Sequence, residues 1–190
     1  MRRHWTLIAL ASISTIAVSG CNEHDTTGDT TPKTATASSN MPAHWNATDA
    51  CSILDKSHVA EALHQDVQEA QLGLVHQPGP VDAATSECHY ISADGTSLAT
   101  LMTRWSPIND NSAESIAGTR NAAASAMKAF SDKPIEDIPG MGKAAFFIPG
   151  IDALNVFLDD ARMIVLTVQK VPDGAKGKDI AISLATKAGT

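Results

Sequence analysis

The feature that most constrains this chain is a change of character at Cys21. Residues 5–18 are almost entirely apolar or small, whereas residues 22–40 contain no large apolar side chain. The apolar run follows a short positively charged start and is too short to cross a bilayer as a mature helix. This pattern is typical of an export signal. We therefore expect residues 1–20 to be removed and the fold to be built from later residues.

The boundary sequence Val18-Ser19-Gly20-Cys21 resembles the lipobox of bacterial lipoproteins. In that class the cysteine thiol carries lipid, the chain is cut before the cysteine, and the new amine is acylated. The resemblance implies that Cys21 is lipidated, and several acyl chains at about 0.8 kcal/mol per buried methylene make a nearly permanent bilayer anchor. In the enterobacterial sorting rule, Asp directly after the lipidated cysteine keeps a lipoprotein in the inner membrane. This chain has Asn22 at that position, so its resemblance to that class implies the outer membrane, facing the periplasm. The alternative is an ordinary secretory signal that is cut elsewhere.

Residues 21–48 are predicted to form a flexible tether. Thr, Ser, Asp, Asn, Gly and Pro dominate this segment, and it shows no apolar periodicity. Such a composition buries too little apolar surface to offset the entropy of ordering. About 25 flexible residues have a root-mean-square reach of roughly 25–30 Å. We expect a single globular domain over residues 49–190.

Two cysteines remain if Cys21 carries lipid. An exported chain with two cysteines is the ordinary setting for a disulfide, here between Cys51 and Cys88. The alternatives are a pair of free thiols, or a metal site that uses His58 and His89. Because the close paired spacing of zinc motifs is missing, the residues favour the disulfide and no metal.

Hydrophobic periodicity and turn residues predict alternating blocks of helices and strands. Helices are expected over residues 56–64, 113–130 and 178–188, and strands over 71–76, 88–91, 98–105, 146–148, 153–158 and 163–169. The order is helix, strands, helix, strands, helix. We therefore expect an α+β fold in which an antiparallel sheet has its helices packed on one face.

A second resemblance covers about 140 residues. The segments Cys51-Ser52-Ile53-Leu54 and Cys88-His89-Tyr90, with Gly140-Met141-Gly142-Lys143-Ala144-Ala145, are similar to a class of bacterial lipoprotein domains. That class has Cys-x-Leu-Leu, a short helix, Cys-x-Trp/Tyr and a late Gly-x-Gly-x-x-Ala, is common in actinobacterial envelopes, and is mostly of unknown function. The resemblance implies a fold and a disulfide, and it implies no activity. The long polar loop departs from the pattern, as does Tyr90 where Trp is frequent.

The charge of the chain restricts its partners. The net charge is −7, and loss of residues 1–20 leaves 12 basic and 21 acidic side chains, a net charge of −9. An acidic surface repels polyphosphate, which argues against nucleic acid. A protein partner is favoured instead. The acidic residues predicted to contact it are Glu136, Asp137, Asp159 and Asp160.

No catalytic pattern stands out. The chain lacks Gly-x-Ser-x-Gly, Ser-x-x-Lys and HExxH, and its histidines are not at metal-ligand spacing. We therefore expect neither enzyme activity nor a cofactor. The favoured function is a non-enzymatic protein-binding lipoprotein of an accessory, inhibitor or immunity type. The alternative is an envelope enzyme, or a carrier of a small ligand or metal, whose site is assembled from scattered residues.

Overall fold

The folded part of the chain is built on one antiparallel sheet. The computed structural model describes residues 41–189. Within them the strands are β1 (Glu69–His76), β2 (Ala84–Ile91), β3 (Ser97–Trp105), β4 (Glu136–Asp137), β5 (Ala144–Ile148), β6 (Ala153–Phe157) and β7 (Arg162–Val168). Their order in the sheet is β1-β2-β3-β7-β6-β5-β4, and all neighbouring pairs are antiparallel. The edge strands are therefore β1 and β4.

Three α-helices accompany the sheet in the described residues. They are α1 (Lys56–Leu63), α2 (Ala113–Met127) and α3 (Gly177–Lys187), and a short 3-10 turn precedes them at Ala50–Ser52. The Asp55 carboxylate accepts a 2.7 Å hydrogen bond from the Ser57 N–H, which caps the start of α1. The Ser112 hydroxyl oxygen caps α2 in the same way.

The helices lie on both faces of the sheet, which corrects the expectation that all of them share one face. Helices α1 and α3 pack on the face that carries Leu154 and Leu166. Helix α2 packs on the opposite face, where Met127 contacts a smaller cluster that includes Phe146 and Phe157. Successive side chains of a strand point to opposite faces, so the buried strands β5 and β6 supply residues to both clusters.

The packed structure begins earlier in the chain than expected. Residues 41–48, which the sequence analysis assigns to the tether, contain Trp45 and Ala47, and both are buried in the main core. The Ala47 carbonyl oxygen accepts hydrogen bonds from the hydroxyls of Ser86 (2.9 Å) and Thr103 (3.2 Å). The boundary between tether and domain therefore lies before residue 49.

The α+β class is confirmed, while its details differ from the expectation. The second strand block has four strands rather than three, because Glu136–Asp137 pairs with β5 as a two-residue strand. Helix α2 ends at Met127 rather than at residue 130. Phe130, the last residue of the expected helix, lies beyond the observed end and is 86% exposed.

Candidate functional site

The predicted disulfide is present. Cys51 and Cys88 are joined through their sulfurs, with their Cα atoms 5.0 Å apart. Cys88 lies on β2 and is fully buried, whereas Cys51 belongs to the 3-10 turn before α1. The bond therefore ties the start of the folded chain to the sheet. Cys21, the predicted lipidation site, lies outside the described residues.

The first pair of predicted partner-binding acids is engaged in ion pairs within the molecule. Asp137 Oδ1 accepts from Arg120 Nε of α2 at 2.6 Å, and Glu136 Oε2 accepts from Lys178 Nζ of α3 at 2.7 Å. The hydrogen bond to Glu136 raises the pKa of Lys178. The two adjacent acids thus hold helices from opposite faces of the sheet against the short edge strand β4.

The second pair lies at the turn between β6 and β7. Asp159 Oδ2 accepts from Arg162 Nε at 2.6 Å, and Asp159 Oδ1 accepts from the N–H groups of Ala161 and Arg162 at 2.9 and 2.7 Å. Burial acts to raise the pKa of Asp159, but these donors outweigh it and hold that pKa below its usual value. Asp160 pairs with Lys143. Whether any of these acids contacts a partner stays a prediction.

A cleft of about 400 Å³ opens beside this turn. It is lined by Pro42, Trp105, Pro107, Asn109, Asp159, Asp160, Ala161 and Arg162. The Arg162 guanidinium carbon lies 5.4 Å from the ring centroid of Trp45, a cation–π distance. The lining contains no serine, cysteine or histidine. Asp159 binds the Arg162 guanidinium and Asp160 binds Lys143, which lies outside the lining, so the cleft offers little free charge to a ligand.

The histidines do not assemble a metal centre among residues 41–189. No group of three or more His, Cys, Asp or Glu side chains within that range is arranged to hold a metal ion. His89 Nε2 lies 3.5 Å from Glu87 Oε2, and its Nδ1 lies 3.4 Å from the Thr100 hydroxyl.

None of the helices in this part of the chain has the length and apolar character needed to cross a bilayer.

Exposed apolar side chains are concentrated on and after edge strand β1. Seven large apolar residues are exposed within the described range, and four of them fall between residues 72 and 81. They are Leu72, Leu74, Val75 and Val81. The residue pattern predicts a strand over 71–76, but its place at the edge of the sheet has no signal in the sequence. Clustered exposed apolar groups are a recognised mark of an interaction surface.

The part of the chain that includes β1 has an excess of acidic over basic residues. Residues 57–103, which include β1, β2 and most of β3, contain six acidic side chains and neither lysine nor arginine. Residues 104–189 carry ten of each sign, so they are balanced. This uneven distribution was visible in the sequence as a long stretch without basic residues. The strand order is needed to see that this stretch includes the edge strand β1 and its neighbour β2.

Comparison with known proteins gives no match to a family model, a curated protein or a solved structure. The chain is therefore assigned to a fold class: residues 41–189 form an α+β domain on a seven-stranded antiparallel sheet.

Proposed function

We propose that this chain is a bacterial envelope lipoprotein, anchored through Cys21, whose folded domain binds another protein and performs no chemistry. The observation that carries the proposal is the concentration of exposed apolar side chains at residues 72–81. A surface of this kind gains free energy when a partner removes it from water, at about 25 cal/mol per Å² of apolar area. The anchor places the domain at the outer membrane, facing the periplasm.

Charge contributes to the encounter with the partner. The excess negative charge of residues 57–103 belongs to the same part of the chain as the apolar surface, and it includes Glu69 on β1. Complementary charge acts mainly on the rate of association, so binding should slow as salt rises. Glu136, Asp137, Asp159 and Asp160 stay in the proposal as contributors, although their internal cation partners reduce their share.

Affinity capture of the full-length lipoprotein from detergent-solubilised envelopes tests the proposal. The variant pair Leu74→Ser and Val81→Ser, made together, removes two exposed apolar groups from the surface. The matched control is Ile108→Ser with Ile151→Ser, which removes two comparably exposed groups elsewhere.

We expect one co-purifying protein that is lost from the first double variant and retained by the control. All four side chains are exposed, so each substitution should change stability by no more than about 0.5 kcal/mol. Equal capture by both double variants would contradict the proposal. So would a turnover by the purified chain that a single histidine or serine substitution abolishes.

A further inference from the structure

The outer edge of β1 carries backbone groups that no strand among residues 41–189 pairs with. β1 is hydrogen-bonded to β2 on one side only. An edge strand presents a row of unpaired N–H and C=O groups, and these are a template for a further strand. The regular part of the edge is Glu69–Gly73, because the register shifts between Gly73 and His76.

The usual protection of an edge strand is weak on this side of the sheet. Natural edges are commonly guarded by lysine, proline, short length or a bulge. β1 has eight residues, with neither lysine nor proline among them, and its one irregularity follows the regular segment. The opposite edge, β4, has only two residues, and both are bound to helices through ion pairs. The difference singles out β1 as the accessible edge.

The charge of this half of the molecule identifies the kind of strand that fits. The six acids of residues 57–103 include Glu69 on β1 itself and Glu87 on the neighbouring strand. A second copy of the chain would bring its own excess of acids to the same edge, and this like-charge repulsion disfavours it. An incoming segment with lysine or arginine has the complementary charge.

We propose that β1 binds an extended segment of the partner protein by strand addition, and that this segment alternates apolar with basic residues. The backbone of Glu69–Gly73 supplies the hydrogen bonds, and the exposed side chain of Leu72 supplies an apolar contact. Main-chain bonds then give affinity, while side chains give specificity. This inference rests on the proposed function, of which it specifies the binding mode and the chemistry of the partner.

The test uses the processed full-length chain in detergent micelles and a synthetic probe. The probe is an amidated eight-residue peptide in which valine alternates with lysine. With the peptide at ten times its Kd, backbone N–H exchange at the outer edge of Glu69–Gly73 should slow about tenfold. The same peptide with every backbone amide N-methylated keeps its charge and side chains but loses all its donors, so it should not bind. Glutamate in place of lysine should also abolish binding.

Variants of the protein locate the contact. Leu72→Lys places a basic group on the edge and should weaken peptide binding about tenfold, the loss expected of one interface anchor. Ile151→Lys makes the same chemical change at a comparably exposed site in the turn between β5 and β6, and it should leave binding unchanged. Higher salt should weaken binding of the lysine peptide.

The inference is overturned if the peptide leaves β1 exchange unchanged or if the N-methylated peptide binds equally well. It is also overturned if the β1 edge is already protected in the free chain, by residues 1–40 or by a second copy. If the strand-addition test fails but the Leu74/Val81 double variant still loses its captured partner, only the binding mode is wrong and the proposal of protein binding stands. If the Leu74/Val81 double variant and its control capture the partner equally, the proposed function itself is wrong.

Discussion

The Tyr90 hydroxyl donates a 2.6 Å hydrogen bond to the main-chain carbonyl oxygen of Leu54. Both residues are buried, and the bond joins β2 to the segment that leads into α1, close to the disulfide between Cys51 and Cys88. Burial raises the pKa of this hydroxyl, with a smaller contribution from the negative charge of Asp55. The phenol is therefore held in its neutral, donating form.

Replacing the hydroxyl tests this bond. Tyr90→Phe leaves the Leu54 carbonyl without its donor and should lower the free energy of unfolding by about 1–3 kcal/mol near neutral pH. Because the folded-state pKa is raised, the wild type should lose stability as pH rises above about 10, where the unfolded tyrosine ionises. The difference between the two proteins should therefore shrink above that pH. Urea unfolding across pH 8 to 11 measures it; a constant difference would contradict the assignment.

Removal of the disulfide should destabilise the domain strongly. Cys51 and Cys88 are 37 residues apart, and opening a loop of that length costs about 3–4 kcal/mol in the chain-entropy model. We expect this loss for the double variant Cys51→Ser with Cys88→Ser, measured by denaturant unfolding. If Cys21 carries lipid as proposed, the wild type should show no titratable thiol even when denatured. Two reactive thiols in the oxidised protein would contradict the bond.

The Asp159 carboxylate should stabilise the turn between β6 and β7. Asp159→Ala deprives two backbone N–H groups of their acceptor and should cost about 1–2 kcal/mol. Since the pKa of Asp159 is depressed, its contribution is present above about pH 4 and is lost as pH falls through the lower folded-state value. Asp173→Ala, at an exposed turn, is the control and should be nearly neutral. Equal stability of the two variants at pH 7 would refute this role.

The proposed anchor is tested by Cys21→Ala in the cells that naturally produce the chain. Without the thiol no lipid can be attached, so the protein should leave the membrane fraction or stay unprocessed at its precursor mass. Asp173→Ala, which keeps the lipobox and is expected to be nearly neutral for stability, should remain with the membranes as a control for general effects on export. A Cys21→Ala protein of mature mass in the membrane fraction would show that the lipoprotein proposal is wrong.

The sequence predicted most of the helices and strands because their signals are local. Asp55 and Ser112 mark helix starts by capping, and the continuous apolar run around Leu166 marks a central strand. The face on which α2 packs had no such signal, because it depends on how distant strands order themselves in the sheet. The burial of Trp45 was hidden in the same way by the polar residues around it.

The functional surfaces were less predictable, again for a physical reason. The sequence gives no sign that Asp137 is paired, because its partner Arg120 is 17 residues away. In the fold, Arg120 Nε lies 2.6 Å from Asp137 Oδ1. The stretch without basic residues could be read from the sequence. That β1 forms an edge on which Leu72 and Leu74 are exposed required the strand order.

Site-specific photocrosslinking in intact cells tests the central claim, protein binding by the anchored domain, most directly. A photoreactive phenylalanine at position 74 lies on the exposed apolar surface, and the same group at position 151 is the control on the β5–β6 turn. The account predicts one discrete protein adduct from position 74, reduced by high salt and by Leu72→Lys, and no such adduct from position 151. Identical adducts from both positions, or none from position 74, would contradict it.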